Sequence, residues 1–249
     1  RALGRMQLAA TTLNNRGVVV SGTSTGIDSK TLTNQGDVYT DGALKLNADV
    51  LDNHAKLLSA GSLEVQAGTV TNRDNGTIEA VSGSQVQAGS VLNEGVWLLS
   101  QQAGASDSMT VTGLLDNRHT LQSGGTATVQ AKNVDNSGVL TAMTKLSVRG
   151  DSIQNSGTLQ SLGAMTVAVG SGGLTNTSDG TDDSGNILAQ GDLSIESADG
   201  KGYTANLGGT VQSGGLLKVS GPASTVVNLT GDAVDTDVLV DYTHASAVG

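Results

Sequence analysis

The chain has 249 residues, of which 35 are glycine, and it has no cysteine, no phenylalanine and only 2% aromatic residues. A single thick core of this size would normally contain several aromatic rings, so we expect a thin core of Val, Leu, Ile and Ala that is repeated many times. The formal net charge of −10 would repel a phosphate backbone and argues against nucleic acid as a partner, and no apolar run is long enough for a membrane-spanning helix.

The N-terminal seventeen residues lack the apolar stretch of a signal peptide, so we expect the chain to be a segment of a longer protein. From residue 13 onward a short pattern recurs, in which an apolar residue and any second residue precede Asn. The nine clear copies end at Asn15, Asn34, Asn53, Asn72, Asn93, Asn117, Asn136, Asn155 and Asn176, and most of them lie 19 residues apart. A degenerate copy at residues 207–221 and a weaker one ending at Asn228 bring the prediction to about eleven units.

Within each unit, apolar residues recur at fixed distances from the Asn. Around Asn34 they are Leu32, Val38, Leu44 and Leu46. The last two lie two residues apart, which is the period of a β-strand and not of a helix. Each unit therefore predicts three short strands, and the Gly that often follows two residues after the Asn marks a turn between the first two strands.

A meander or sandwich of hairpins gives no reason for the pattern to repeat every 19 residues. A coil that stacks on the preceding coil does, because each strand then pairs in parallel with its copy about 4.8 Å away. We therefore predict an all-β parallel β-helix, a solenoid of triangular section, with a structural Asn ladder at one corner. The predicted domain covers residues 1–231, and residues 232–249 form the last strands and a frayed C-terminal end.

The repeat is irregular near residues 97–117 and 176–206, and insertions in a solenoid often become loops on the binding face. Weak candidates for binding in these coils are Trp97, Asp107, Asp179, Asp182, Asp183 and Tyr203. Trp97 occupies a position where other units have Leu or Val, so it either fills the core or serves as an exposed platform for carbohydrate.

The three aspartates from Asp179 to Asp183 are the weak candidates for a metal site, because oxygen-rich loops can hold Ca²⁺. They lack the spacing of an EF-hand loop, so a solvated acidic loop is the simpler interpretation. The three histidines have no metal-ligand spacing, and no face shows a repeated Asp beside a basic residue. We expect no catalytic residues, no cofactor and no enzymatic activity.

The units at residues 115–150 and 153–176 resemble the haemagglutinin repeats of filamentous haemagglutinin and of contact-dependent growth inhibition exoproteins. The resemblance extends from about Leu8 to Thr230 and rests on the period, the L-x-N start and the L-x-V third strand. It implies a right-handed parallel β-helix, an outer-membrane transporter of the two-partner secretion type as partner, and a secreted or cell-surface location.

Two landmarks of that family are absent, the Asn-Pro-Asn-Gly motif of the secretion domain and the Val-Glu-Asn-Asn boundary before a toxin. The chain therefore resembles the central shaft. We expect a rigid spacer that presents a distal binding or toxin region. The alternatives are a module that binds a target-cell receptor or glycan through its irregular loops and, third, an enzyme similar to polysaccharide lyases.

Overall fold

The structure is a computed structural model that describes residues 1–178, 185–221, 226–229 and 238–241. Within these ranges the regular elements are strands, with no helix. They form two parallel sheets of 14 and 10 strands. The predicted all-β parallel solenoid is therefore confirmed.

Nine long strands form most of the larger sheet. They are β1 (Met6–Asn15), β3 (Thr25–Asn34), β5 (Leu44–Asn53), β7 (Ser62–Asn72), β9 (Gly83–Asn93), β11 (Ser106–Asn117), β13 (Thr126–Asn136), β15 (Lys145–Asn155) and β17 (Ala164–Thr177). The remaining strands of this sheet are β19 (Leu193–Ser197), β20 (Thr204–Leu207), β22 (Leu217–Ser220), β23 (Val226–Leu229) and β24 (Val238–Asp241).

Ten short strands form the smaller sheet. They are β2 (Val18–Ser21), β4 (Asp37–Thr40), β6 (Lys56–Ser59), β8 (Thr77–Ala80), β10 (Val96–Ser100), β12 (Thr120–Ser123), β14 (Val139–Ala142), β16 (Thr158–Ser161), β18 (Asn186–Ala189) and β21 (Thr210–Ser213). Each strand pairs in parallel with the equivalent strand of the next coil, as β14 does with β16.

Each coil has three faces but only two strands, which differs in detail from the three predicted strands. In β5 the burial alternates up to Ala48, then Asp49 and Val50 both point outward, and the alternation resumes at Leu51. The chain bends at this pair while its hydrogen bonding to the next coil continues on both sides. The predicted third strand of one unit and first strand of the next are therefore one bent strand.

In the part of the chain that the structure describes, ten stacked short strands are joined by nine full turns, compared with the prediction of about eleven units. Within the predicted degenerate unit at residues 207–221, the structure has β21 and β22. The last predicted unit falls on β23 and β24 and on residues outside the described ranges. With a spacing of about 4.8 Å between coils, nine turns make a column about 43 Å long.

The core is a stack of equivalent residues, and the position two before each Asn shows this most clearly. Its members from the second coil onward are each at most 2% exposed: Leu32, Leu51, Val70, Val91, Leu115, Val134, Ile153 and Leu174. Ala48, Ala88 and Ala131 are buried at the bend of the long strand, where two faces converge, and Val111 is buried at the equivalent position of β11.

We expect Leu140→Asp to unfold several coils. Leu140 is 1% exposed and stacks between Leu121 and Leu159, so a carboxylate there has no partner for its charge, and the loss should exceed about 4 kcal/mol. Urea denaturation monitored by circular dichroism would measure it. Val139→Asp is the matched control, because Val139 is the adjacent residue of β14 and is 42% exposed. Equal losses for the two variants would contradict the assignment of this core face.

Candidate functional site

A continuous column of buried asparagine side chains lies at one corner of the solenoid. The Nδ2 of each Asn donates to the Oδ1 of the Asn in the next coil, at 2.7–2.9 Å, in nine consecutive steps. The structure thereby brings together all the Asn residues proposed from the sequence, Asn15, Asn34, Asn53, Asn72, Asn93, Asn117, Asn136, Asn155 and Asn176. We call this column, with Asn206, the Asn ladder.

The second amide hydrogen of each ladder residue is also used. Asn136 Nδ2 lies 3.1 Å from the carbonyl oxygens of both Gly138 and Thr158, as well as 2.8 Å from Asn155 Oδ1. Asn136 is 0% exposed, so these bonds satisfy polar groups that water does not reach. The ladder therefore ties the turn at this corner to the next coil.

Asn206 is a ladder residue that sequence reasoning missed. Asn176 Nδ2 donates to Asn206 Oδ1 at 2.7 Å, although 30 residues separate them. The inserted residues broke the 19-residue period, and Thr204 occupies the usually apolar position. The strand β23 continues the register, with Asn206 paired to Asn228.

Charged residues line the outside of this corner where the repeat is irregular. Arg73 Nε lies 2.8 Å from Asp52, and Arg118 lies 3.1 Å from Glu94 and 2.8 Å from Asp116. All five side chains are partly exposed. Because exposed ion pairs contribute little, about 0–1 kcal/mol each, this set stabilises the corner less than the buried Asn ladder does.

The pKa values of two aspartates at this corner are shifted in opposite directions. Burial disfavours the charge of Asp52, but hydrogen bonds from Arg73 and His54 outweigh it and lower its pKa. Burial, with repulsion from Asp116 as the second cause, raises the pKa of Asp135. The Asp52 pairing thus contributes stability above the ordinary carboxyl pKa and loses it as the pH falls through the lowered value.

Trp97 lies in the core, with 0% exposure. It stacks on Ile78 and Leu121 of the neighbouring coils. Its indole nitrogen has no hydrogen-bond partner. The core interpretation of Trp97 therefore holds, and the exposed carbohydrate platform is wrong.

Asp107 is also buried, at 3% exposure, so it offers no accessible group for binding. Its carboxylate accepts hydrogen bonds from the Ser84 amide at 2.7 Å, from Ser100 Oγ at 2.5 Å and from Ser123 Oγ at 2.6 Å. It occupies a position equivalent to Ala127 in the next coil. The three hydrogen-bond donors and the burial of Asp107 indicate that its carboxylate has a structural role in the coil with the insertion.

The serine hydroxyls that contact Asp107 belong to a second recurring set of hydrogen bonds, at another corner of the solenoid. This set was not predicted from the sequence. In regular coils the Ser at the end of the short strand donates to the carbonyl three residues later, as Ser59 Oγ does to Ser62 at 2.9 Å and Ser161 Oγ does to Ala164 at 2.9 Å. In the coil with inserted residues 101–105, the Asp107 carboxylate replaces that carbonyl as acceptor. Ser, Thr or Ala ends each of the ten short strands, and that regularity is the sequence signal.

Tyr203 is 40% exposed and lies against the backbone of Gly173. Asp179, Asp182 and Asp183, the weak candidates for binding or metal, lie outside the described residues. Among the residues that are described, no group of three or more His, Cys, Asp or Glu could hold a metal ion. In the same residues, no helix is long and apolar enough to cross a membrane.

The fold and these contacts define the class of the protein as a repeat β-solenoid of nearly uniform section. Residues 4–57 and 58–121 match the family model of the haemagglutinin repeat, which confirms the resemblance at the level of the repeat. Comparisons with curated proteins and with solved structures gave no match. Repeats of this kind occur in secreted, surface-exposed adhesins, and a β-solenoid that carries them fits a shaft segment of a filamentous adhesin.

Replacing one member of the Asn ladder should weaken the whole column. Asn136→Ala removes the acceptor for one amide hydrogen of Asn117, whose other amide hydrogen keeps the carbonyls of His119 and Val139. It also leaves Asn155 Oδ1 buried without its donor, and together these losses should cost about 3 kcal/mol. The free energy of unfolding in urea measures this loss. The control is Asn133→Ala, because Asn133 is an exposed residue of the same strand and its replacement should change stability by less than about 0.5 kcal/mol. A cost for Asn136→Ala no larger than that of the control would contradict the role of the ladder.

The apolar substitution Asp107→Leu should destabilise the protein more than Asp107→Asn does. Leucine removes the acceptor for three buried donors, at about 1–3 kcal/mol for each unsatisfied group, whereas asparagine keeps one acceptor oxygen. Fluorescence of Trp97 during denaturation reports on this coil. In a background with Ser100→Ala and Ser123→Ala, Asp107→Leu should cost less, because two of the donors are gone. An unchanged cost in that background would show that those hydroxyls do not depend on Asp107.

Proposed function

We propose that this chain is a rigid shaft segment of a large secreted bacterial surface adhesin or contact-dependent inhibition exoprotein. In this role it acts as an extended spacer that presents a distal binding or toxin region. The observation that carries the proposal is the unbroken Asn ladder, because it runs through regular and irregular coils alike. A spacer needs this continuity, since its stiffness depends on its weakest junction between coils.

The contacts of the described coils support stiffness along the column. Each junction carries backbone hydrogen bonds in both sheets, a buried Asn pair and stacked apolar side chains, as between β13 and β15. These contacts act together, so bending at one junction would break several of them at once. Where the register shifts inside a long strand, as in β11 and β17, the pairing resumes on the far side of the shift and reaches the Asn ladder.

The resemblance also motivates a partner and a route. We propose an outer-membrane transporter of the two-partner secretion type, through which the chain passes unfolded to the cell surface. The chain has no cysteine, so no disulfide can hold it folded before passage. Each coil contacts mainly its neighbours, so coils can fold one after another as they emerge.

If the chain is a rigid spacer, deleting whole coils should shorten the solenoid by the same number of coil spacings and leave the rest of the fold intact. Removing residues 118–155 deletes two regular coils and places Thr158 on Val96, in the register that Thr120 now has. Because the chain has no cysteine, Lys56→Cys and Thr210→Cys can be spin-labelled specifically. These residues lie in one outward column and are seven coil spacings apart, about 34 Å.

Pulsed electron spin resonance should give one narrow distance distribution that shortens by about 10 Å after the deletion. Removing only residues 118–126 is the control, since this deletion is not a whole coil and should destroy the register. A broad distribution in the intact chain, or no shortening in the deletion variant that retains its circular dichroism, would overturn the rigid-spacer proposal.

A further inference from the structure

The turn between β7 and β8 is longer than the turns on either side of it. It comprises residues 73–76, whereas the equivalent turns of the neighbouring coils comprise only residues 54–55 and 94–95. Asp74 and Asn75 are exposed at its tip. Among the described residues, none forms a hydrogen bond with the Asn75 side chain, so its amide nitrogen is open to solvent.

The backbone of this turn has a defined position although its tip is exposed. The Gly76 amide donates to the Arg73 carbonyl oxygen at 2.7 Å. Gly76 also packs against the Asn ladder, where an added Cβ would lie 2.3 Å from Asn72 Oδ1. The inner side of the turn therefore contacts the ladder, and Asn75 lies on the outer side.

The sequence of Asn75, Gly76 and Thr77 is Asn-x-Thr, which is the acceptor motif of N-linked glycosylation when x is not proline. Thr77 is the first residue of β8, where its amide donates to the Ala55 oxygen at 2.9 Å. Its side chain is partly exposed. The two groups that the motif requires, the Asn75 amide and the Thr77 hydroxyl, therefore both occur at the surface.

The two other copies of the motif in the sequence, at Asn176 and Asn228, arise from the repeat itself. Asn176 is 1% exposed and its Nδ2 donates to Asn206 Oδ1 at 2.7 Å, so a sugar on this nitrogen would break the Asn ladder. Asn228 pairs with Asn206 and continues the register of the ladder. Within the described ranges, Asn75 is therefore the motif asparagine that can carry a sugar without disturbing the interior.

We propose that Asn75 is a site of N-linked glycosylation, with a diphosphate-activated sugar as the donor. Asn75 Nδ2 forms a bond to the anomeric carbon of the sugar, and the bond from that carbon to the diphosphate oxygen breaks. The diphosphate leaves with the electron pair, and Nδ2 loses one proton. The Thr77 hydroxyl is the group that the transferase recognises. This modification adds to the spacer role and does not depend on it.

Tandem mass spectrometry on the protein from the cells that naturally produce it tests this proposal. After proteolysis, we expect a peptide that carries a sugar on Asn75, whereas the peptide that contains Asn176 carries none. Absence of a sugar from Asn75, including its conversion to aspartate alone, would overturn the proposal. An equally frequent sugar on Asn176 would also overturn it, because modification would then not follow the exposure that the fold imposes.

A second experiment distinguishes the two sources of such a donor, a nucleotide sugar and a lipid-linked sugar. The purified chain is incubated with radiolabelled UDP-glucose or UDP-N-acetylglucosamine and with the soluble or the membrane fraction of the same cells. Incorporation with the soluble fraction alone supports direct transfer from the nucleotide, and a requirement for membranes supports transfer from a lipid diphosphate. Incorporation of neither sugar with both fractions would overturn the proposed donor chemistry.

Variants separate the motif from an exposed asparagine as such. Asn75→Gln and Thr77→Ala should each abolish incorporation, whereas Thr77→Ser should retain it, because serine also completes the motif. Asn133→Gln is the matched control, since Asn133 is exposed and lies outside any such motif, and it should leave incorporation unchanged. Circular dichroism checks that all four variants fold. Incorporation that persists in Asn75→Gln or Thr77→Ala, or that is lost in Asn133→Gln as well, would contradict the assignment of the site.

Discussion

The structure depends on one constraint, the parallel pairing of each residue with its equivalent one coil further on. Because the pairing is in register, identical or similar side chains lie about 4.8 Å apart along each column. This arrangement favours residues whose side chains interact well with an identical side chain in the next coil. Leucine packs on leucine, and the asparagine amide both donates to and accepts from another asparagine, so one short pattern can be used at every level.

The same constraint determines where the chain can vary. Core and ladder positions must match those above and below, whereas the turns face solvent and need only return the chain to the same point. Many of the extra residues are found there: the turn after Asn72, residues 101–105 before β11, and the loop before Tyr203. Others lie at the bends of β11 and β17, where the register shifts. Where an insertion displaces a turn carbonyl, Asp107 takes over as acceptor for Ser100 and Ser123. Surface variation is thus compatible with an unchanged interior.

The fold could be predicted from the sequence because the repeat encodes it directly. Spacing of the Asn residues and the apolar positions around them was sufficient for the parallel stacking and for the core. The division of a coil into strands was not predictable in the same way, because hydrogen bonding continues through the bend at Asp49 and Val50. Asn206 was missed because a long insertion hides its spacing.

The surface was less predictable, for physical reasons. The residues next to Trp97 in the sequence do not show whether its side chain points into the core or towards solvent until the register of the strand is known. Asp107 looks like an exposed acidic residue, yet its environment is created by serines from two coils. A surface groove in the C-terminal half of the solenoid is lined by Gln130, Arg149 and Asp199, which are up to 69 positions apart in the sequence, and no local pattern brings them together.

The direction of the asparagine column has a further consequence. Every amide nitrogen points towards the following coil and every amide oxygen towards the preceding one, so the small dipoles add along the axis instead of cancelling. The Asn ladder therefore has a defined direction along the axis of the solenoid. Duplicated genetic segments of one coil can enter it at any level in the original orientation, and evolution can therefore lengthen or shorten the molecule without redesigning its interior.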